Sequence, residues 1–302
     1  MKISVVIPCH NSADFLEQCL DSVAAQKLQP YEVIVVDDSS KDNSAEVARG
    51  HQTSPIVLKV NHGNAAPTRN AGIERAAGDW VAFLDADNIW FPDHLSNAKQ
   101  LLDASRDILF ASPPVHESED IPDQEGTVRE DHPLAQPTSG LKEIDFVRWR
   151  LNYLWGYPTS GTVARLDRVR EVGGFDITQK RRHDFELVMR VIAEHTWCGS
   201  PVATWWSRPI RQGNISSDKP ACAFYAYRAL HLNREAFDSE DFRHLIRKAA
   251  LNATKNAVYA RDPELKRDAM ALASPDMGLK EKIKLGIFSL TPPQLRSRLI
   301  NY

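Results

Sequence analysis

The chain has 302 residues, of which 42% are hydrophobic and 25% charged, and its formal net charge is −3. A chain of this length can bury a substantial core, and a charge so close to zero argues against a general nucleic-acid-binding protein. The cysteines show neither a C-x-x-C pair nor zinc-ligand spacing, so we expect reduced thiols in a cytosolic protein; they are Cys9, Cys19, Cys198 and Cys222.

The N-terminal apolar run, residues 3–8, is short and ends at Pro8, which does not fit a secretory signal peptide. No apolar run along the chain reaches the roughly 18 to 20 residues that span a bilayer. We therefore expect a protein that is soluble or peripheral to a membrane.

Strand and helix patterns alternate through the N-terminal third of the chain. Apolar runs predict strands at residues 3–8, 33–36, 56–60 and 80–85. Helical spacing predicts three helices. One begins near Asn11 or Ser12, and the other two cover residues 44–49 and 67–77. This alternation predicts an α/β fold with a mostly parallel sheet covered by helices on both faces. Ligands of such sheets lie at the carboxyl ends of the strands.

The pattern changes after residue 112. Between Glu117 and Asp131 the chain has seven acids and one arginine, a composition shared by mobile surface insertions and active-site lids. Further on we predict helices at 141–154 and 182–194, strands at 159–163 and 202–206, a turn at 173–175, and helices from Ser217 to the end. The predicted core of these last helices includes Tyr225, Leu230, Leu232, Phe237, Leu245 and Ile246.

The segment Phe83-Leu84-Asp85-Ala86-Asp87-Asn88 ends an apolar run on two carboxylates one residue apart. In extended backbone, residues i and i+2 project to the same side, so Asp85 and Asp87 are predicted to converge on one point. Carboxylate oxygens in that arrangement suit Mg²⁺ or Mn²⁺, which often share their coordination with substrate phosphates. A polar turn that caps the next helix explains the tetrapeptide Asp85-Ala86-Asp87-Asn88 equally well.

Several segments, taken in chain order, resemble the successive signatures of glycosyltransferase family 2. They are Ser4–Asn11, Glu32–Ser39, Gly63–Gly72, Phe83–Trp90, Gly173-Gly174-Phe175 and His183–Leu187. The resemblance covers about residues 1–216 and implies the GT-A fold, a Rossmann-like, mostly parallel sheet flanked by helices, with a helical C-terminal extension. It divides the chain into a nucleotide-sugar-binding half (1–112), an acidic variable loop (113–140), an acceptor and catalytic half (141–216) and the extension (217–302).

The resemblance also implies roles for individual residues. Those assigned to binding of the nucleotide sugar are Pro8, Cys9, Asn11, Asp37, Asp38, Arg69, Asp85, Ala86, Asp87 and Arg211. Within this set Asp38, with Asp37 beside it, matches the acid that binds the nucleoside. Arg69 matches the arginine that supports the base and the diphosphate, and Arg211 stands where a histidine is common in a loop that closes over the diphosphate.

The same resemblance implies the chemistry. Asp85 and Asp87 match the D-x-D motif, whose second acid is the usual metal ligand, so Mn²⁺ or Mg²⁺ is the implied cofactor. Asp184 matches the catalytic base of an inverting transfer. Two positions depart from the family pattern: Asn88 stands where a third acid is common, and His183 stands where Glu often precedes the base.

The implied partners are a nucleotide-diphosphate sugar, most often a UDP-sugar in this family, and a glycan or lipid-linked glycan whose hydroxyl accepts the sugar. Polysaccharide or cell-envelope biosynthesis in the cytoplasm, or at the inner face of the membrane, is the implied setting. A catalytically inactive nucleotide-sugar-binding module remains an alternative. A sugar-phosphate nucleotidyltransferase fits less well, because it needs a Gly-rich loop after the first strand, where this chain has Pro8-Cys9-His10-Asn11.

Residues 279–302 mix five basic residues and one acid with many apolar ones. This mixture suits peripheral contact with an anionic membrane surface. Packing back onto the domain, or against a second subunit in a homodimer, suits it equally. The sequence leaves these alternatives open.

Overall fold

The computed structural model describes residues 1–115, 141–142, 159–200, 202–208, 218–237, 239–260 and 262–291. The chain divides into two compact units. The first consists of the described residues of 1–177 and 190–209, and the second consists of those of 178–189 and 210–302.

The first unit alternates strands and helices as predicted. Its strands are β1 (Ile3–Cys9), β2 (Glu32–Asp38), β3 (Ile56–Val60), β4 (Trp80–Phe83), β5 (Ile89–Trp90), β6 (Leu109–Ala111), β7 (Pro114–Val115), β8 (Leu141–Lys142), β9 (Thr162–Arg165), β10 (Thr196–Gly199) and β11 (Trp205–Trp206). Its helices are α1 (Ala13–Ala24), α2 (Ser44–Gly50), α3 (Ala65–Arg75), α4 (His94–Ser105) and α5 (Leu166–Glu171). The next helix, α6 (His183–Ile192), begins in the second unit and ends in the first.

Among the described residues, eight strands form the central sheet, in the order β3-β2-β1-β4-β9-β6-β10-β8. The pairs β3–β2, β2–β1, β1–β4 and β6–β10 are parallel. Strand β9 runs antiparallel to both β4 and β6, and β8 runs antiparallel to β10. The predicted α/β fold with a mostly parallel sheet is therefore confirmed.

A second sheet of the described residues has the order β5-β11-β7. Trp206 of β11 pairs with Ile89 of β5, and the two strands run antiparallel. Because β5 directly follows Asp85–Asn88, this pairing brings the residues after β11 next to that segment.

The core of the first unit lies between the central sheet and its helices. Val5, Val6 and Ile7 of β1 are fully buried, as expected for a parallel strand that is covered on both faces. The buried side chains of α1 recur at helical spacing and confirm the predicted amphipathic helix; they are Leu16, Cys19, Leu20, Ser22 and Val23. All four cysteines are buried free thiols.

Two element boundaries differ from the sequence prediction at places that matter for the site. Helix α3 begins at Ala65, two residues earlier than predicted, because the Asn64 side chain accepts a hydrogen bond from the Ala66 amide and caps the helix. Pro67 lies in the first turn, where its missing N–H costs no helical hydrogen bond. Strand β4 ends at Phe83 instead of continuing to Asp85.

The second unit is helical, as predicted from Ser217 onward. Its helices are α7 (Lys219–Leu232), α8 (Glu240–Ala260), α9 (Pro263–Ala273) and α10 (Leu279–Leu290). Asp218 and Asp262 cap α7 and α9 by accepting hydrogen bonds from backbone amides of the first turn. Leu232 was predicted to lie in the core, but this is wrong: it lies at the end of α7 and is 52% exposed.

The predicted helix at 141–154 is wrong at its start, because Leu141 and Lys142 form a strand paired with Thr196 and Trp197. The rest of that prediction lies outside the described residues. The predicted strand at 159–163 begins instead as a single 3₁₀ turn, Thr159–Gly161, and becomes extended only at Thr162. Within the described part of the chain, no helix combines the length and the apolar character needed to cross a bilayer.

Candidate active site

The loops that follow β1 and β2 are joined by hydrogen bonds. The Asn11 side chain accepts a hydrogen bond from the Lys41 amide at 2.8 Å, and the Asn11 amide donates to Ser40 Oγ at 2.9 Å. The ring of His10 lies beside these bonds, with Nδ1 at 2.6 Å from the Asp38 carbonyl oxygen. Asn11 adopts a positive φ of 48°, a conformation that asparagine tolerates better than most residues. The carboxyl ends of β1 and β2 therefore form one continuous rim.

Asp38, the last residue of β2, organises the loop after β3. Its carboxylate accepts hydrogen bonds from the amides of His62, Gly63 and Asn64, at 2.6, 3.1 and 3.2 Å, and from Thr68 Oγ1 at 2.9 Å. Burial raises the pKa of Asp38, but these hydrogen bonds outweigh it and hold the pKa below its usual value. Asp38 therefore keeps a negative charge at the rim.

Asp37 is also buried, but it makes fewer contacts. Its Oδ1 accepts a hydrogen bond from the Ser40 amide at 3.2 Å. Pro8, half-buried, and Cys9, which is 2% exposed, pair with Val36 and Asp37 across β1 and β2. Burial raises the pKa of the Cys9 thiol, so this thiol stays protonated.

Three consecutive residues of α3 connect three separate segments of the rim. Thr68 donates to Asp38 at the end of β2, as described above. Arg69 binds Asp85 after β4, with 2.5 Å between Nη2 and Oδ1. Asn70 exchanges two hydrogen bonds with the Phe175 backbone, at 2.8 and 2.9 Å. Gly174 precedes Phe175 with a positive φ of 68°, which glycine adopts without strain.

The pair of Arg69 and Asp85 lies partly out of solvent. The side chain of Arg69 is 6% exposed and that of Asp85 is 28% exposed. The guanidinium group also lies 5.5 Å from the centre of the Phe175 ring, within the range of a cation–π contact. Asp85 is therefore already paired with a cation inside the protein.

Asp85 to Asn88 form a turn, not the extended backbone that the sequence argument assumed. The Asn88 amide donates to the Asp85 carbonyl at 3.0 Å, which closes the turn. Asp85 and Asp87 therefore do not project from one side of a strand, and that prediction is wrong. Ala86, between them, is 5% exposed.

Ser160 and Arg208, neither of which stands out in the sequence, hold this turn in place. Ser160 Oγ accepts hydrogen bonds from the Asp85 amide at 3.0 Å and from the Asn88 side-chain amide at 2.9 Å. Asn88 Oδ1 accepts from the Arg208 amide at 3.3 Å. Asn88 is 5% exposed, so its side chain is a structural link instead of an exposed substitute for a third acid.

The side chain of Arg208 lies next to Asp87. Its Nε donates to the Asp87 carbonyl at 3.1 Å, and its Nη2 donates to Gln18 Oε1 at 3.0 Å. The guanidinium group lies 4.5 Å from the ring centre of Phe15 and 5.0 Å from that of Trp206. Arg208 follows β11 by two residues, so only the pairing of β11 with β5 could have shown that it reaches this turn.

A divalent cation fits the acids of this rim only if a ligand completes its coordination. No group of three or more histidine, cysteine, aspartate and glutamate side chains suited to a metal occurs among the described residues. Mg²⁺ in enzymes is often bound by one or two carboxylates together with substrate phosphates. The family resemblance assigns this role to Asp87, the second acid of the turn after β4.

Asp184 belongs to the second unit, and its role stays a prediction. It is half-buried and is the second residue of α6. Arg182, just before the helix, has a positive φ of 56°, and its carbonyl accepts a hydrogen bond from the Glu186 amide at 3.1 Å. Arg211 and the acidic segment 117–131 lie outside the described residues.

Known proteins resemble this chain in sequence. A family model described as "Glycosyl transferase family 2" matches residues 4–153. An uncharacterized glycosyltransferase of Nostoc sp., alr2836, is 31% identical over 182 residues, which are 58% of this chain and 54% of that protein. The chain thus spans about half the length of this curated relative.

Solved structures resemble it over its whole length. Residues 1–349 of TarS from S. aureus, crystallised with UDP-GlcNAc, superpose with a TM-score of 0.73 at 18% identity and cover 100% of this chain and 89% of that one. The mannosyltransferase PcManGT from Pyrobaculum calidifontis, in complex with GDP-Man and Mn²⁺, gives a TM-score of 0.61 at 17% identity over 100% of this chain and 84% of that one. These likenesses confirm the GT-A fold.

Proposed function

The chain belongs to glycosyltransferase family 2, and we propose that it is an inverting, metal-dependent glycosyltransferase. In this proposal it moves a sugar from a nucleotide-diphosphate donor to a hydroxyl group of a glycan or a lipid-linked glycan. The observation that carries the proposal is the link that Thr68-Arg69-Asn70 of α3 makes between the end of β2, the turn after β4 and Phe175. These contacts join separate signatures of the family into one rim.

The donor would lie along the carboxyl ends of β1, β2 and β4, where ligands bind in open α/β sheets. Pro8, Cys9 and Asn11 would line the base and ribose. Asp37 and Asp38 would lie at the nucleoside end, with Asp38 also shaping the loop at His62–Asn64 that its carboxylate binds. UDP is the nucleotide we test first, because it is the commonest in the family.

The diphosphate would lie near Asp87 and Arg69. Asp87 would hold Mn²⁺ or Mg²⁺ together with the phosphate oxygens, and Asp85 would keep Arg69 oriented through their ion pair. When bound, the cation supplies positive charge that stabilises the leaving diphosphate. Arg211, in a stretch outside the described residues, is proposed to contact the same group.

The transfer itself would be one direct displacement. The bond between the anomeric carbon and the diphosphate oxygen breaks while the acceptor oxygen bonds to that carbon from the opposite side, so the configuration inverts. The acceptor hydroxyl is a weak nucleophile at neutral pH, and the carboxylate of Asp184 takes its proton as it attacks. We place this reaction in polysaccharide or cell-envelope biosynthesis, in the cytoplasm or at the inner face of the membrane.

A panel of nucleotide sugars tests the proposal. Release of nucleoside diphosphate from UDP-, GDP- and dTDP-sugars is measured with Mn²⁺, with Mg²⁺ and with a chelator, and the anomeric configuration of the product is read by NMR. We expect metal-dependent release with inversion. Asp184→Asn should lower kcat by about 10²- to 10⁴-fold, while UDP still binds in calorimetry.

Asp103→Asn is the matched control, because Asp103 is an exposed helical acid paired with Lys99 and should leave kcat unchanged. Turnover that persists in the chelator would remove Asp87 from its metal-binding role. Full activity of Asp184→Asn would remove the base. Binding of UDP without release from any donor would favour the inactive binding module.

A further inference from the structure

Helix α10 has two faces of different exposure, and both are apolar. Leu285 and Phe288 are 7% and 1% exposed, which shows the face that packs into the second unit. The opposite side carries four exposed aliphatic side chains, with 77%, 54%, 60% and 88% of their surface open; these are Leu279, Ile283, Ile287 and Leu290. We call these four residues the α10 stripe.

The spacing of the α10 stripe places it on one side of the helix. Its members are four, four and three residues apart, and residues three or four apart are neighbours on a helical surface. At about 100° per residue the stripe covers an arc of roughly 80°. An exposed apolar surface of this kind, continuous and repeated over three turns, marks an interaction site more often than single exposed residues do.

Lysines border the α10 stripe on both sides. Lys280 and Lys284 follow it around the helix in one direction, and Lys282 follows it in the other, as the same angular spacing shows. All three are exposed, and no described acid forms an ion pair with them. The one acid of the helix, Glu281, falls on the half-buried side. The exposed surface of α10 is therefore apolar along its middle and cationic along its edges.

Packing fixes the direction in which the α10 stripe points. The ammonium group of Lys255, in α8, lies 5.6 Å from the centre of the Phe288 ring. Together with the burial of Phe288 and Leu285, this contact holds the inner face of α10 against the second unit. The stripe is thus presented outward by the fold and is not a face that a small rotation of the helix would bury.

We propose that α10 binds the surface of an anionic lipid bilayer, with the α10 stripe among the upper acyl chains and Lys280, Lys282 and Lys284 at the lipid phosphates. Helices with an apolar face bordered by lysines lie in the plane of such an interface. Long lysine side chains can keep their ammonium groups in the headgroup layer while their stems contact apolar surface. Each lysine near an anionic surface adds to the attraction.

A second copy of the chain fits this face less well. A helix of 12 residues is about 18 Å long. The area of the α10 stripe is therefore much smaller than the roughly 800 Å² that each partner buries in a standard interface. A symmetric contact through the stripe would also bring the lysines of both copies together, and like charges repel. Anionic phosphates would instead neutralise them.

Co-sedimentation of the full chain with vesicles tests the proposal without any need for turnover. We expect binding to vesicles of phosphatidylglycerol and phosphatidylcholine, weaker binding to phosphatidylcholine alone, and a loss of binding as salt is raised. Ile287→Glu should weaken binding to the anionic vesicles at least tenfold. The triple variant Lys280→Gln, Lys282→Gln, Lys284→Gln should weaken it about a hundredfold, since each lysine contributes about a factor of five.

Ile177→Glu is the matched control, because Ile177 lies in the first unit and is 60% exposed, as Ile287 is. It should bind vesicles like the unchanged protein. Circular dichroism confirms that each variant is folded, which is expected because all changed positions are exposed. Equal binding of Ile287→Glu and the unchanged protein would overturn the proposal. So would a dimer in sedimentation velocity that Ile287→Glu dissociates while no vesicle binding is seen.

Discussion

Arg69 Nη2 lies 2.5 Å from Asp85 Oδ1, so the first acid of the D-x-D motif already has a cationic partner within the protein. This ion pair connects α3 to the turn after β4. It gives the first acid a structural role, because Asp85 orients Arg69, while Asp87 stays the proposed metal ligand.

Removal of both partners of this pair should cost less free energy of unfolding than the two single removals added together. Arg69→Met leaves a partly buried carboxylate without its cation, and we expect a loss of about 1–3 kcal/mol in the free energy of unfolding. Asp85→Asn combined with Arg69→Met should cost less than the sum of the two single changes. Urea denaturation of the four proteins gives the coupling energy.

The same cycle on Lys99 and Asp103 is the control, because both of these side chains are exposed. Its coupling should stay below about 1 kcal/mol. Additive effects at Arg69 and Asp85 would mean that the ion pair does not link α3 to the turn.

Ser160 should be needed for the shape of the turn. Ser160→Ala leaves the Asp85 amide and the Asn88 side chain without their shared acceptor. A buried donor that loses its partner costs about 1–3 kcal/mol, so thermal unfolding should shift downward. Ser96→Ala, in which a half-buried hydroxyl bound to the Asp93 carbonyl is removed, should change stability far less. A Ser160→Ala protein as stable as the Ser96→Ala protein would contradict this account.

His94 should make the protein sensitive to mild acid. It is fully buried against Trp90, with ring centres 4.3 Å apart, and its Nδ1 lies 2.7 Å from Thr204 Oγ1. Burial lowers the pKa of His94 to about 3, whereas the unfolded chain takes up this proton near pH 6.5. Between these values the unfolded state binds more protons, so stability falls as the pH falls from about 6.5 toward 3, by up to about 1.4 kcal/mol per pH unit.

Urea denaturation between pH 7 and pH 4.5 measures this slope. His94→Asn should reduce this slope by the contribution of about one proton, whatever the substitution does to the free energy of unfolding at pH 7. His244→Asn, at an exposed position of α8, should leave the slope unchanged. An unaltered slope in His94→Asn would show that other groups account for the acid sensitivity.

Gly72 should be required for close contact between α3 and the sheet. A Cβ atom at this position would lie 2.4 Å from Val6 Cγ1 and 3.2 Å from Val36 Cγ2. Gly72→Ala should therefore cost about 1–3 kcal/mol through overpacking, although alanine is the better helix former. Gly50→Ala is the control, because its Cβ would meet nothing within 4 Å. If Gly72→Ala stabilised the protein in urea denaturation, the helix would not pack as tightly as described.

Much of the fold could be predicted because it depends on local apolar patterns. Strand β3 begins and ends at the predicted residues, and the buried positions of α1 follow from their spacing. The predictions of secondary structure that are wrong lie where a single side chain or the pairing with a distant strand determines the local structure. Asn64 moves the start of α3, and the pairing with β10 makes Leu141 and Lys142 a strand.

The sequence by itself determined the α/β class, the parallel strands and the segments that form the rim, because hydrophobic periodicity and motif order are written along the chain. Only the tertiary structure decided that Asp85 is paired with Arg69, that Asn88 is a buried link, and that Ser160 and Arg208 support the turn. The physical reason is that these contacts join residues 16, 72 and 121 positions apart, and a hydroxyl or a guanidinium group carries no local pattern that names its partner.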